Sequence, residues 1–167
     1  MTTIPESGAP ALTPDAAFAD PPAGRSSTAQ PRPFGATASR SASLAIRTEA
    51  RQLILSLVPD GAEVHSGSSV TLEELGVTAE IEQSGRYQAL RPRLWSMDRE
   101  TQGQEIRKLG AAPDVWLNSA HAVTESGEIV IASATGSQLG PIASGAGKVV
   151  LAIGAPKLVP DLATGFA

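Results

Sequence analysis

Hydrophobic positions along the second half of the chain fall into short runs. Val115–Leu117, Ile129–Ala132 and Val149–Ile153 are apolar and β-branched-rich, and small, polar, Gly-rich stretches separate them. Runs of this length with such boundaries predict buried strands feeding polar loops. Upstream the period changes. Ile46, Ala50, Leu53, Ile54 and Leu57 follow helical spacing, while Arg47, Glu49, Arg51 and Gln52 lie mostly off that face. The spacing predicts a helix over 44–58, capped by Ser43 and stopped by Pro59, with a turn at Asp60-Gly61. Ala62–His65 then reads as a strand that ends in the loop Ser66-Gly67-Ser68-Ser69. Thr71–Glu74 has capping-box spacing, and Gly76 stands at a helix C-cap position.

Residues 84–109 are amphipathic and read as two helical pieces around Pro92. The clearer piece is Asp98–Leu109, closed by Gly110 and weakened inside by Gly103, at ~1 kcal/mol relative to Ala. Residues 119–126 read as a loop or single helical turn, with Gly127 allowing a tight return. A short helix is expected from Gln138, and the last strand is Lys148–Ile153. Strands alternating with helices in this order predict an α/β fold. Residues 1–43 show no period and hold seven of the 13 prolines. They predict a disordered segment, which leaves 44–167 as the folded domain.

Composition narrows the classes. A net charge of −4 leaves no basic surface for nucleic acid. The most basic stretch, Arg86–Lys108, reads as a solvated helix face. There is no cysteine, which removes disulfides, thiolate metal sites, cysteine nucleophiles and cysteine-ligated clusters from this chain. No apolar run reaches the ~18 residues of a membrane span. No secretory signal pattern opens the chain, so a cytoplasmic location is expected.

Candidate chemistry lies in the loops. Ser119, His121, Thr124 and Glu125 are near in sequence, and a His beside a carboxylate suits an acid/base or metal-ligand pair. The spacing is not that of a zinc helix motif, and no metal site is expected. His65 ends another strand and could converge on the same mouth. The plainer reading has His121 capping a turn and Glu125 solvated. The Gly/Ser-rich run ending at Lys148 is not a nucleotide phosphate loop, because Val149 replaces the metal-binding hydroxyl and a strand follows. Lys148 and Lys157 are the only lysines after residue 110, and a cation at a strand mouth suits a carboxylate or phosphate.

Three blocks then match a known pattern: VHSGSSVTLEELGV, SGRYQALRPRLWSMDRETQ, and NSAHAVTESGEIVIASATGSQLGPIASGAGKVVLAIGAPKLVPDL. In this order, over about Ala50 to Leu162, the chain resembles the lactate-utilisation (LUD) domain family. The resemblance implies a three-layer α/β fold of the ribose-phosphate isomerase and CoA-transferase-like class, with a mainly parallel sheet. It implies a link to bacterial lactate oxidation to pyruvate, in company with iron–sulfur oxidoreductase subunits. This chain would be the cluster-free component, holding no cofactor and binding a small anionic metabolite, lactate- or pyruvate-like or phosphorylated. By motif position, His121 and Glu125 are the catalytic candidates. Ser66, Ser68, Ser69, Thr124, Ser137, Gln138 and Lys148 are the ligand-binding ones. The alternatives are a stand-alone isomerase or transferase on a phosphorylated or CoA-linked substrate, or an inactive truncated member. Family members usually carry an N-terminal helix and strand, and a further C-terminal strand, that have no counterpart here. A sheet incomplete at its edges is therefore expected.

Overall fold

The computed structural model describes residues 47–166; the expected disordered segment 1–43 and the first residues of the expected first helix lie outside them. Helix α1 (Arg47–Ser56) leads to strand β1 (Glu63–Ser66), helices α2 (Val70–Glu74) and α3 (Val77–Gln83), and the short strand β2 (Gln88–Ala89). Helices α4 (Leu90–Ser96) and α5 (Gly103–Ala111) precede β3 (Val115–Asn118). Then come β4 (Ala122–Thr124), β5 (Ile129–Val130), a π-helical turn (Pro141–Gly145), β6 (Lys148–Leu151), β7 (Leu158–Val159) and α6 (Leu162–Gly165).

Four strands form one parallel sheet in the order β2-β1-β3-β6. The central strand β3 is buried at all four positions, as expected for a parallel strand covered on both faces. On one face, Val64, Val115 and Leu117 pack with Ile54 and Val58, Leu72 of α2, and Val77 and Ile81 of α3. On the other face Trp116 is 1% exposed and meets His65 edge-on, with ring centroids 4.6 Å apart. Helices α4 and α5 cover that side: α4 packs on β1, and Leu94 and Gly110 close over His65. Helices on both faces of a parallel sheet give the expected three layers. A second, mixed sheet of order β5-β4-β7 lies beyond β3, with β4 antiparallel to β5 and parallel to β7.

Gly76, in a left-handed conformation with φ 67°, ends α2 as expected, and α3 follows directly. Other local features differ from the sequence expectation. Residues 122–124 are a strand, not part of a loop or helical turn. The helix expected from Asp98 begins at Gly103; Asp98 instead organises the preceding turn, accepting from the Glu100 N–H and the Thr101 hydroxyl. Between α1 and α3, Arg51 donates to Glu80 at 2.7 Å. Half-exposed as it is, this pair contributes under ~1 kcal/mol.

The strand order fixes where a site belongs. The chain leaves β1 toward β2 through α2 and α3, then crosses the opposite face through α4 and α5 to reach β3 on β1's other side. The order therefore reverses between β1 and β3. In open α/β sheets that reversal opens a crevice beyond the carboxyl ends of the two strands, where ligands bind. Here those ends are Ser66 and Asn118.

Candidate functional site

Both strand ends are polar where the strands themselves are apolar. Ser66 is buried, and its hydroxyl has no hydrogen-bond partner among the described residues. The next residue, Gly67, donates its N–H to the Leu117 carbonyl at 2.9 Å. That bond presses the loop against β3: a Cβ at position 67 would stand 2.5 Å from Nδ2 of Asn118. Only glycine allows this approach. Asn118 is itself buried and donates from Nδ2 to Oε1 of Gln138 at 2.6 Å, and Gln138 donates from Nε2 to the Ala132 carbonyl at 3.4 Å. The Gly/Ser-rich stretch between β5 and β6 is thereby tied to the end of β3.

Ser119, next along the chain, is 6% exposed. Its hydroxyl accepts from Nζ of Lys157 at 2.7 Å and donates to the Ala120 carbonyl at 3.3 Å. Lys157 closes the one-turn 3-10 segment Ala155–Lys157 that follows β6. It has no carboxylate within ion-pair distance among the described residues. Burial pushes its ammonium below the ordinary lysine range, because removing water penalises the charged form. The end of β3 thus gathers a buried hydroxyl, a linked pair of amides and one cation, and the buried Ser66 hydroxyl ends the neighbouring strand.

Of the residues singled out from sequence, Ser66 and Gln138 belong to this cluster. Ser137 sits beside it, exposed, with its hydroxyl accepting from Thr135 at 3.0 Å. Ser68 faces away and accepts from Arg91 at 3.4 Å. Ser69 is the N-cap of α2, accepting from the Leu72 N–H. Thr124 is committed to a local turn with Ser126 and Glu128; the Ser126 and Thr124 hydroxyls hold the Glu128 carboxyl below its usual range. Lys148 is the first residue of β6, so the parallel register puts it at the amino end of the sheet. There it donates to the Leu57 carbonyl at 2.8 Å, well away from the mouth.

His121 and Glu125 flank β4 at opposite ends. Four steps of extended chain set their Cα atoms about 13 Å apart. His121 is exposed, with Nδ1 accepting from the Ala132 N–H at 3.1 Å, and the Glu125 N–H donates to the Val159 carbonyl. A strand where a loop was expected thus sets the two residues at opposite ends of β4. The polar groups at the neighbouring end of β3 are Asn118, Ser119 and, bonded to Ser119, Lys157. Their signal in the sequence was the abrupt Asn-Ser after an apolar run, and a lysine placed just after the last strand.

His65 lies beneath the sheet. Its Nδ1 is 3.1 Å from the Gly110 carbonyl, so Nδ1 carries the proton. Burial is the main cause lowering its pKa from 6.5, opposed by the Gly110 bond, with Arg91 lowering it further. The folded state therefore takes up a proton at lower pH than the unfolded state does. Stability contributed by neutral His65 is intact above about pH 6.5 and is lost as pH falls toward the lowered folded value. Melting temperature should drop between about pH 7 and pH 5, and His65→Gln should flatten that part of the profile; an equally steep profile in the variant would assign the slope elsewhere.

A second concavity, ≈ 320 Å³, runs along α3 and α4. Arg91 stacks on the exposed Trp95 there, 4.3 Å from the ring centroid, and pairs with Glu82 at 3.8 Å. Among the described residues no three metal-ligating side chains gather, and no helix is long and apolar enough to cross a membrane.

The family model of the LUD domain matches residues 41–167. The chain belongs to the LUD domain family. No curated protein and no solved structure matches it. Membership in the LUD family relates the chain to lactate utilisation at the level of the family, and the match covers every element that builds the switch-point cluster.

Proposed function

We propose that this LUD domain binds a small carboxylate-bearing metabolite of the lactate and pyruvate class at the β1/β3 mouth, and that it serves lactate oxidation alongside iron–sulfur oxidoreductase subunits. The observation that carries the ligand reading is Lys157, a half-buried ammonium held 2.7 Å from the buried Ser119 hydroxyl without a carboxylate partner among the described residues. A bound carboxylate supplies the missing counter-charge. The hydroxyls of Ser119 and Ser66 both donate and accept, so either can meet a 2-hydroxyl or 2-oxo group. The partner reading rests on family membership.

Calorimetric titration of the full chain with lactate, pyruvate and inorganic phosphate tests it. A carboxylate should bind, and Lys157→Met should weaken it by roughly 10–100-fold, the loss of one hydrogen bond to a charged group at about 1.5–3 kcal/mol. Binding of phosphate alone would favour a phosphorylated ligand. No heat with either carboxylate, or unchanged binding by the variant, would remove the reading.

A further inference from the structure

The same lysine, in the fraction of molecules where it is unprotonated, is placed to act as a nucleophile, and attack there exchanges the ammonium–carboxylate pair for a C–N bond. We propose that Lys157 forms a Schiff base with a small 2-oxo acid held at the β1/β3 mouth; the proposal rests on the carboxylate-site reading and adds a covalent step to it.

Amines attack carbonyls only as the free base, and lysine is ordinarily protonated at neutral pH. Three features of this site favour the free base. Nζ is drawn inward against a buried hydroxyl rather than out to solvent. No carboxylate among the described residues stabilises its charge. Burial lowers its proton affinity, which is how lysine nucleophiles are activated elsewhere. Neither of the other two lysines of the chain is drawn against a buried hydroxyl. Lys108 is exposed on α5. Lys148 is exposed at the far end of the sheet, its Nζ spent on the Leu57 carbonyl.

The step balances without an oxidant or reductant. The Nζ lone pair adds to the C2 carbonyl carbon while the π pair moves to oxygen, which takes a proton. The resulting carbinolamine loses the Nζ proton and expels its hydroxyl as water, leaving C=N. The sum is amine plus ketone giving imine plus water. The Ser119 hydroxyl, 2.7 Å from Nζ, is positioned to pass the proton from nitrogen to the departing oxygen, so Ser119 acts as a positioning and relay residue. A 2-hydroxy acid has no carbonyl, so it occupies the mouth through its carboxylate and stops there.

Three lysines in the whole chain make the test self-controlled. The full chain is incubated with pyruvate and sodium cyanoborohydride, and modified lysines are located by peptide mass mapping. A carboxyethyl group should accumulate on Lys157 severalfold faster than on Lys108 or Lys148. Its pH profile should rise at lower pH than theirs, and lactate should slow it by competition. Ser119→Ala should slow trapping at Lys157 and leave the other two sites unchanged. Lys157→Arg should abolish the fast site while keeping a folded chain and a cation. Even labelling of the three lysines, or none at Lys157, overturns the proposal. If lactate still binds in a Lys157-dependent way under that outcome, the carboxylate reading survives alone. If lactate binding is also absent, both fall.

Discussion

Replacing Trp116 with alanine should lower stability by about 3–5 kcal/mol and the melting temperature by roughly 10 °C or more. Trp116 is the largest fully buried side chain among the described residues, 1% exposed, on a strand that has neighbours on both sides. Its ring fills the layer between the sheet and α4–α5 and meets the His65 edge. Deleting it leaves a cavity that α4 cannot close without breaking its packing on β1. The indole Nε1 has no hydrogen-bond partner among the described residues, so the contribution of this side chain comes from packing rather than polarity. Trp116→Phe keeps most of the ring and removes the unpaired donor; its cost should stay within about 1.5 kcal/mol. Urea unfolding of both variants checks this. Equal losses would mean that the indole N–H is satisfied, and that the account of this layer is wrong.

The second large effect is on binding. Gly67→Ala places a methyl 2.5 Å from Asn118 Nδ2 and 2.7 Å from Oδ1. The loop cannot withdraw without losing its bond to the Leu117 carbonyl, and Asn118 cannot rotate without losing Gln138. Either way the amide pair at the mouth is displaced. Overpacking of this kind costs about 1–3 kcal/mol of stability, and lactate or pyruvate affinity should fall at least about tenfold, or 1.4 kcal/mol. Gly61→Ala is a useful contrast. Its φ is positive, 78°, unlike that of Gly67, but no atom stands within 4 Å of its added Cβ. It should lower stability without touching affinity. Wild-type affinity in Gly67→Ala would place the ligand away from the Ser66–Asn118 juncture.

The apolar runs at 115–117 and 149–153, the helix periods, and the strand before Ser66 were all legible in the sequence, because local patterning suffices for elements buried in a parallel sheet. What escaped was set by contacts distant in sequence. Residues 122–124 are three ordinary residues between a histidine and a glutamate. They are extended only because Val130 and Val159 pair with them from either side, and nothing local records that. Gly76 signalled a helix end correctly, but a new helix starts at the next residue, and its Val77 and Ile81 cover the same core. The two late lysines carry the clearest lesson. Both border the last apolar run, yet one precedes it and one follows it. In a parallel sheet that difference sends Lys148 to the amino edge and Lys157 to the carboxyl edge, where Ser66 and Asn118 end. Polarity of the strand, rather than nearness to a glycine-rich loop, decides which cation meets the ligand.

The central claim is that the crevice between β1 and β3 is the binding site. Titrating lactate into the isotopically labelled full chain and following backbone amide resonances tests it most directly. Saturable shifts should concentrate at Ser66–Ser69, Asn118–Ala120, Gln138 and Gly154–Lys157, and leave His121, Glu125 and Lys148 unmoved. Shifts centred on His121–Glu125 or on the α3–α4 groove, or none that saturate, would contradict it.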